Sequence, residues 1–348
     1  MNFFERQIRR YEHRRWTTDD NRRVQPFHWG LEHIGGSANE PNPGAFVRRF
    51  AKDAIENSRD WYAATPATDY HLDEKESVLT FTSSFESPWL ENNTVYARLW
   101  PARRDLSFPL KADKGTAVLV LPNWNAKWNG QDGLCDWVSR FGITALKMTL
   151  PYHNRRMPRG YERADQICGP NIGLTLQANR QAVQDARRCL RWLEQQGYTK
   201  LGILGTSIGS SIGYITLVHD PAVRVGGFFH VSTYYADVVS QGMTTNHVWG
   251  GLRDHVTVDE LREYWAPISP MPYVERGMGA GRTCFMVYGK YDPTMLPKLT
   301  RQMLDSLRRH GAEARTLELP CGHYSLELAP FSYIAGYRML SFFRESLA

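Results

Sequence analysis

A serine, an aspartate and a histidine stand in this chain where a hydroxyl could be made into a covalent catalyst. Ser207 lies in the run Gly205-Thr206-Ser207-Ile208-Gly209, between an apolar stretch at 201–204 and a helix-forming stretch at 210–218. A strand, a sharp turn and a helix in that order expose a serine at a sheet edge, and small neighbours let the chain pass closely. A serine hydroxyl is a weak nucleophile at neutral pH. It needs a base to take its proton and a third group to orient that base. Asp292 follows an apolar run at 284–288, and His323 follows another at 315–319. The roles expected are nucleophile for Ser207, acid for Asp292 and base for His323.

Bland readings compete with each of these. Ser207 fits a tight strand–helix turn with no chemistry attached. Asp292 precedes Pro293-Thr294-Met295 and fits a helix cap. His230 ends the apolar run 223–231 and reads as a core histidine. His153 sits in an insertion, close enough to meet substrate and poorly placed to be the base.

The elements that must hold these residues follow from periodicity. Apolar runs at 117–121, 143–150, 201–204, 223–231, 284–288 and 315–319 alternate with helical stretches that include 176–196, 296–310 and 331–347. Several runs are apolar at consecutive positions, as in strands covered on both faces. The alternation predicts an α/β fold, a mostly parallel sheet between helical layers. Runs at 78–85 and 94–100 predict an antiparallel pair ahead of it. Two insertions leave the carboxyl edge, where open α/β sheets bind ligands. One spans 151–173 and carries Arg155, Arg156, Arg159 and Arg163; the other spans 232–281 and is rich in Tyr, Trp, Met and Pro. Both read as lids or pocket walls.

Residues 1–76 read as a helical extension, with one helix inside 1–23, a loop at 35–44 and a second helix at 45–63. Residues 1–23 carry seven arginines and place Phe4, Ile8 and Tyr11 at helical spacing. Packing through those three, with solvated arginines outside, is the expectation. Glu5, Glu12, Asp19 and Asp20 dilute the charge, which argues against a nucleic-acid arm.

Composition narrows the class. The 348 residues are 42% hydrophobic with a net charge of +6, enough for a substantial core and too mild for a nucleic-acid binder. Cys135, Cys168, Cys189, Cys284 and Cys321 form no paired spacing, so neither a disulfide framework nor a zinc site is expected. The absence of a leader-like or membrane-length apolar stretch makes a cytoplasmic chain the expectation. Gly277-Met278-Gly279-Ala280-Gly281 precedes a strand instead of following one, so it reads as a connection and not a nucleotide loop.

The order Ser207, Asp292, His323, each at a strand end, resembles the α/β-hydrolase superfamily over roughly residues 77–348. The resemblance implies the α/β-hydrolase fold and a serine esterase, akin to carboxylesterases and to dienelactone-hydrolase or acetyl-esterase relatives. It implies a small-molecule ester as substrate and needs no metal or organic cofactor. It makes Asp237, on the loop after 223–231, the substitute acid. It also implies two donors for the developing oxyanion. The first is the backbone N–H of Ile208. The second comes from Leu121-Pro122-Asn123-Trp124-Asn125, with the Trp124 N–H preferred and Asn123 or Asn125 as alternatives; this loop departs from the HG and HGGG forms of related families. The same machinery would serve a peptidase, thioesterase, lactonase or acyltransferase. The non-catalytic alternative is a hydrolase-like scaffold that binds a partner through its basic N-terminal helix, and residues 1–70 could also mediate a homodimer.

Overall fold

A computed structural model describes residues 2–103 and 115–348. Nine strands form one sheet: β1 (His71–Asp73), β2 (Val78–Thr82), β3 (Thr94–Trp100), β4 (Thr116–Leu121), β5 (Thr144–Met148), β6 (Lys200–Thr206), β7 (Val223–Phe229), β8 (Thr283–Gly289) and β9 (Glu313–Leu319). Their order is β1-β2-β3-β5-β4-β6-β7-β8-β9. The first three strands pair antiparallel, β3 joins β5 antiparallel, and β4 to β9 run parallel. Six carboxyl ends therefore share one edge.

The first helices are α1 (Phe3–Thr17), α2 (Pro43–Glu56), the single turn α3 (Ser58–Trp61), α4 (Asp132–Arg140), α5 (Ile172–Gln195) and α6 (Ile208–His219). Four short helices follow: α7 (Tyr235–Gln241), α8 (Asn246–Leu252), α9 (Val258–Tyr264) and α10 (Met271–Glu275). The last two are α11 (Pro297–Arg309) and α12 (Phe331–Ser346).

The pleat of β4 explains the layering. Ala117, Leu119 and Leu121 pack in a core with α5 and α6 residues, whereas Val118 and Val120 pack in another with residues of α4 and α12. Alternate side chains of one strand thus feed both layers. Every residue of α6 is buried, which places this helix inside the molecule and behind the strand edge it caps. Leu31, Ile34, Val47, Ile55 and Tyr62 join the α5–α6 core, and the Tyr62 hydroxyl donates to Pro267 O at 2.8 Å. Among the described residues no helix is long and apolar enough to cross a membrane.

Three details differ from the sequence reading. The run 78–85 ends as a strand at Thr82, and residues 45–63 split where Asn57 leaves helical geometry at φ −104°, ψ 32°. The short edge strand β1 and helix α4 had no clear signature. On α1 the buried residues are Ile8 and Glu12, while Phe4 is exposed. The inner face of that helix therefore carries a charge where apolar packing was expected.

Candidate active site

Ser207 sits between β6 and α6 with φ 56° and ψ −118°, a conformation that costs an L-residue strain. The turn is held by close approach. A Cβ on Gly209 would lie 2.2 Å from Leu121 O, and one on Gly205 would lie 2.4 Å from Gly209 O. Only glycine fits at either place. The Ser207 N–H donates to Phe229 O at 2.8 Å, tying the turn to the end of β7.

Beyond β8 the chain turns at Asp292, whose carboxylate is buried and fully committed. Oδ1 accepts the N–H groups of Thr294 and Met295 at 2.7 and 2.8 Å. Oδ2 bonds His323 Nδ1 at 2.9 Å. The two readings of Asp292, cap and partner of the histidine, are both met by one side chain, although the capped turn lies ahead of α11. Burial would raise its pKa, but the charge of His323, the close approach of His230 and the hydrogen bond from His323 outweigh it and keep the group ionised. On His323 burial pulls downward, and the Asp292 charge and hydrogen bond overcome it, so the imidazole sits above its ordinary value. With Nδ1 held by Asp292, Nε2 is the nitrogen left for proton transfer. The His323–Asp292 pair is thus made.

His230 is not an ordinary core histidine. Its Nδ1 lies 2.8 Å from the same Asp292 Oδ2, poorly aligned for a hydrogen bond, and its ring centroid is 4.4 Å from that of His323. Its φ of 57° and its N–H bond to Val287 O place it at the crossing from β7 to β8. Burial first, and His323 second, depress its pKa and favour the neutral form. Asp237 lies elsewhere: its Oδ1 pairs with Arg262 of α9 at 2.6 Å.

The loop after β4 is shaped by the 151–173 insertion. The Asn125 N–H donates to His153 Nε2 at 2.9 Å, and His153 Nδ1 meets Pro151 O at 2.8 Å, which fixes the proton on Nδ1. His153 is buried, and burial pushes its pKa down to about 4. Ala164 receives the Trp124 indole N–H on its carbonyl and gives its own N–H to Asn125 Oδ1, at 2.9 and 2.8 Å. The Asn123 side-chain amide donates to Trp124 O at 3.2 Å. These bonds use up the Asn125 amide and leave Trp124 N–H and the Asn123 backbone as loop donors. Ile208 N–H opens α6, where helix amides have no intrahelical acceptor.

Of the four insertion arginines, two meet this loop: the Arg163 guanidinium lies 4.9 Å from the Trp124 ring and that of Arg155 lies 4.5 Å from the Trp128 ring. Arg156 is wholly buried against Asp185 at 2.8 Å and donates to Asn92 O and Thr149 O, a packing role. Arg159 is 98% exposed. The sequence reading missed Glu12, which reaches the His323 loop from α1, and no local pattern marks it. His230, Asp292 and His323 could converge on a metal ion by distance, and the carboxylate between two imidazoles already accounts for the cluster.

No protein-family profile and no curated protein matches this chain. Solved structures do. An acetyl xylan esterase from Paenibacillus sp. R4 matches with a TM-score of 0.56 and 13% identity, over 88% of this chain and 96% of that one. A puromycin-hydrolyzing peptidase of Mycobacterium tuberculosis matches with a TM-score of 0.58 and 14% identity, over 76% of this chain and 40% of that one. An acylaminoacyl peptidase of Pyrococcus horikoshii matches with 0.55 and 13% identity, over 84% and 43%. This chain spans less than half the length of either peptidase. The fold is that of the α/β hydrolases, a mostly parallel sheet flanked by helices.

Proposed function

We propose that the protein is a serine hydrolase that cleaves carboxylic esters through an acyl-enzyme. The observation that carries this reading is a hydrogen-bonded His323–Asp292 pair, 2.9 Å apart, on the sheet edge where Ser207 is held at φ 56°. Full-length similarity to an esterase supports an ester ahead of the amides and thioesters that the same residues could attack.

In this mechanism His323 Nε2 takes the Ser207 proton as Oγ bonds to the substrate carbonyl carbon. The oxyanion accepts hydrogen bonds from Ile208 N–H and Trp124 N–H, with the Asn123 backbone as the alternative. Collapse breaks the bond to the alkoxy group, which leaves as an alcohol with the proton from His323. Water then gives a proton to His323 and attacks the acyl carbon. The second collapse frees the acid and returns the proton to Ser207. Asp292 holds the imidazole tautomer and stabilises its charged form.

The test uses p-nitrophenyl esters of short acids and a fluorophosphonate probe. Wild-type protein should turn over the esters and be labelled, and Ser207→Ala should do neither. Equal turnover by the alanine variant would remove the serine from the chemistry. Unlabelled wild-type protein would favour the non-catalytic scaffold.

A further inference from the structure

We infer that Glu12 is a positioning residue for His323, so that the N-terminal helix α1 forms part of the hydrolytic site; this rests on the serine hydrolase reading. The two residues after His323 offer their amides to α1. Glu12 Oε2 accepts the Tyr324 N–H at 2.9 Å, and Oε1 accepts the Ser325 N–H and hydroxyl at 2.8 and 2.7 Å. The Ser325 hydroxyl oxygen in turn accepts the Gly322 N–H at 2.7 Å. Residues 322, 324 and 325 are thereby tied, directly or through one serine, to a single carboxylate. A Cβ on Gly322 would lie 2.4 Å from Glu12 Cδ, so glycine at 322 is what admits it.

Glu12 is 1% exposed and pairs with no lysine or arginine among the described residues. Its charge acts on the site. The groups facing His323 are Asp292 after β8, His230 after β7, Glu12 on α1 and Glu327 in the following turn, with Tyr324 bonded to Arg22 beside it. Asp292, Glu12 and Glu327 all favour the protonated imidazole.

The test is Glu12→Gln, with active sites counted by fluorophosphonate so that only competent protein is compared. Glutamine keeps one acceptor for Ser325 and turns an NH2 group toward the Tyr324 N–H. We expect kcat to fall about tenfold with KM within about twofold, as for a displaced catalytic group. The acid limb of kcat/KM should move to lower pH, because removing a negative charge weakens the imidazolium. Lower thermal stability with kcat and the acid limb unchanged assigns Glu12 a merely structural role and overturns the proposal. An independent measurement is the NMR titration of His323 in a Ser207→Ala background with and without Glu12→Gln. A downward shift supports the proposal and an unmoved titration overturns it, even if the wild-type protein proves to hydrolyse nothing and only the hydrolase reading fails. Should Glu12→Gln not fold, Ser325→Ala keeps the charge and removes one anchor; a lowered kcat supports the proposal and an unchanged one overturns it.

Discussion

His230 Nδ1 lies 2.8 Å from the Asp292 oxygen that also bonds His323 Nδ1 at 2.9 Å. Two histidines thus face one buried carboxylate oxygen, and their surroundings drive them apart. Burial and the charge of His323 hold His230 neutral, whereas on His323 the pull of Asp292 outweighs burial. Separation of this kind assigns the acid–base roles. His323 must be neutral to accept the Ser207 proton, and its pKa lies above the ordinary 6.5. Ester hydrolysis should therefore rise with pH through a single ionisation above that value. The same shift has a sign for stability. Protonated His323 stabilises the fold below pH 6.5, and that contribution is lost as pH rises through the folded pKa. A kcat/KM profile flat from about pH 5 to pH 8 would contradict the assignment.

Asp292 and Asp237 can be told apart by the same profile. Asn at 292 should lower kcat by about 10³ to 10⁴, because the imidazole loses its tautomer and the partner of its charged form. The acid limb should move downward, since the group holding His323 up is gone. Asp237 pairs with Arg262 and not with His323, so Asp237→Asn should leave kcat within about twofold. The reverse ranking would transfer the acid role to Asp237.

Much of this candidate site was legible because the proposed chemistry needs residue types at strand ends, and strand ends show as breaks in apolar runs. Ser207, Asp292 and His323 each follow such a run. The pleated core strands were readable for the same reason, since β4 and β5 are buried throughout. Contacts made across long separations left no local trace. Glu12 reaches the His323 loop over more than 300 positions, and its acidic type on an arginine-rich helix looks like a solvated face. His230 looked like a core histidine because burial and contact with Asp292 have the same local signature. The four insertion arginines look alike in sequence, yet Arg156 is spent on Asp185, while Arg155 and Arg163 stack on Trp128 and Trp124 of the loop after β4.

His153 should affect turnover without taking part in proton transfer. Its Nε2 receives the Asn125 N–H and so sets the course of the loop that carries Trp124. His153→Phe would leave that part-buried amide without its acceptor and let the loop shift. Misplacement of an oxyanion donor by about 1 Å costs on the order of 10²-fold in rate, and kcat should fall toward that figure with KM little changed. Because burial holds His153 neutral down to about pH 4, its loss should leave the acid limb where it was. Movement of that limb in His153→Phe would mean that His153 does share in the titration.

The turn at Ser207 separates fold from chemistry. Ser207→Ala keeps the Cβ and loses only a hydroxyl, so the variant should fold as the wild type while turnover collapses. Gly209→Ala is the opposite case. Its new methyl would sit 2.2 Å from Leu121 O and 2.5 Å from Pro122 O, backbone atoms that cannot turn aside. Relief requires α6 to move away from the end of β4, and α6 is buried along its whole length. Urea unfolding should show a loss of about 3 to 5 kcal/mol, the range of severe core substitutions. Ile208 N–H, the proposed oxyanion donor, moves with the same helix, so the Gly209→Ala protein that remains folded should also react more slowly with fluorophosphonate. A variant of wild-type stability would mean that the close approach of this turn to β4 is not what holds Ser207 in its strained conformation.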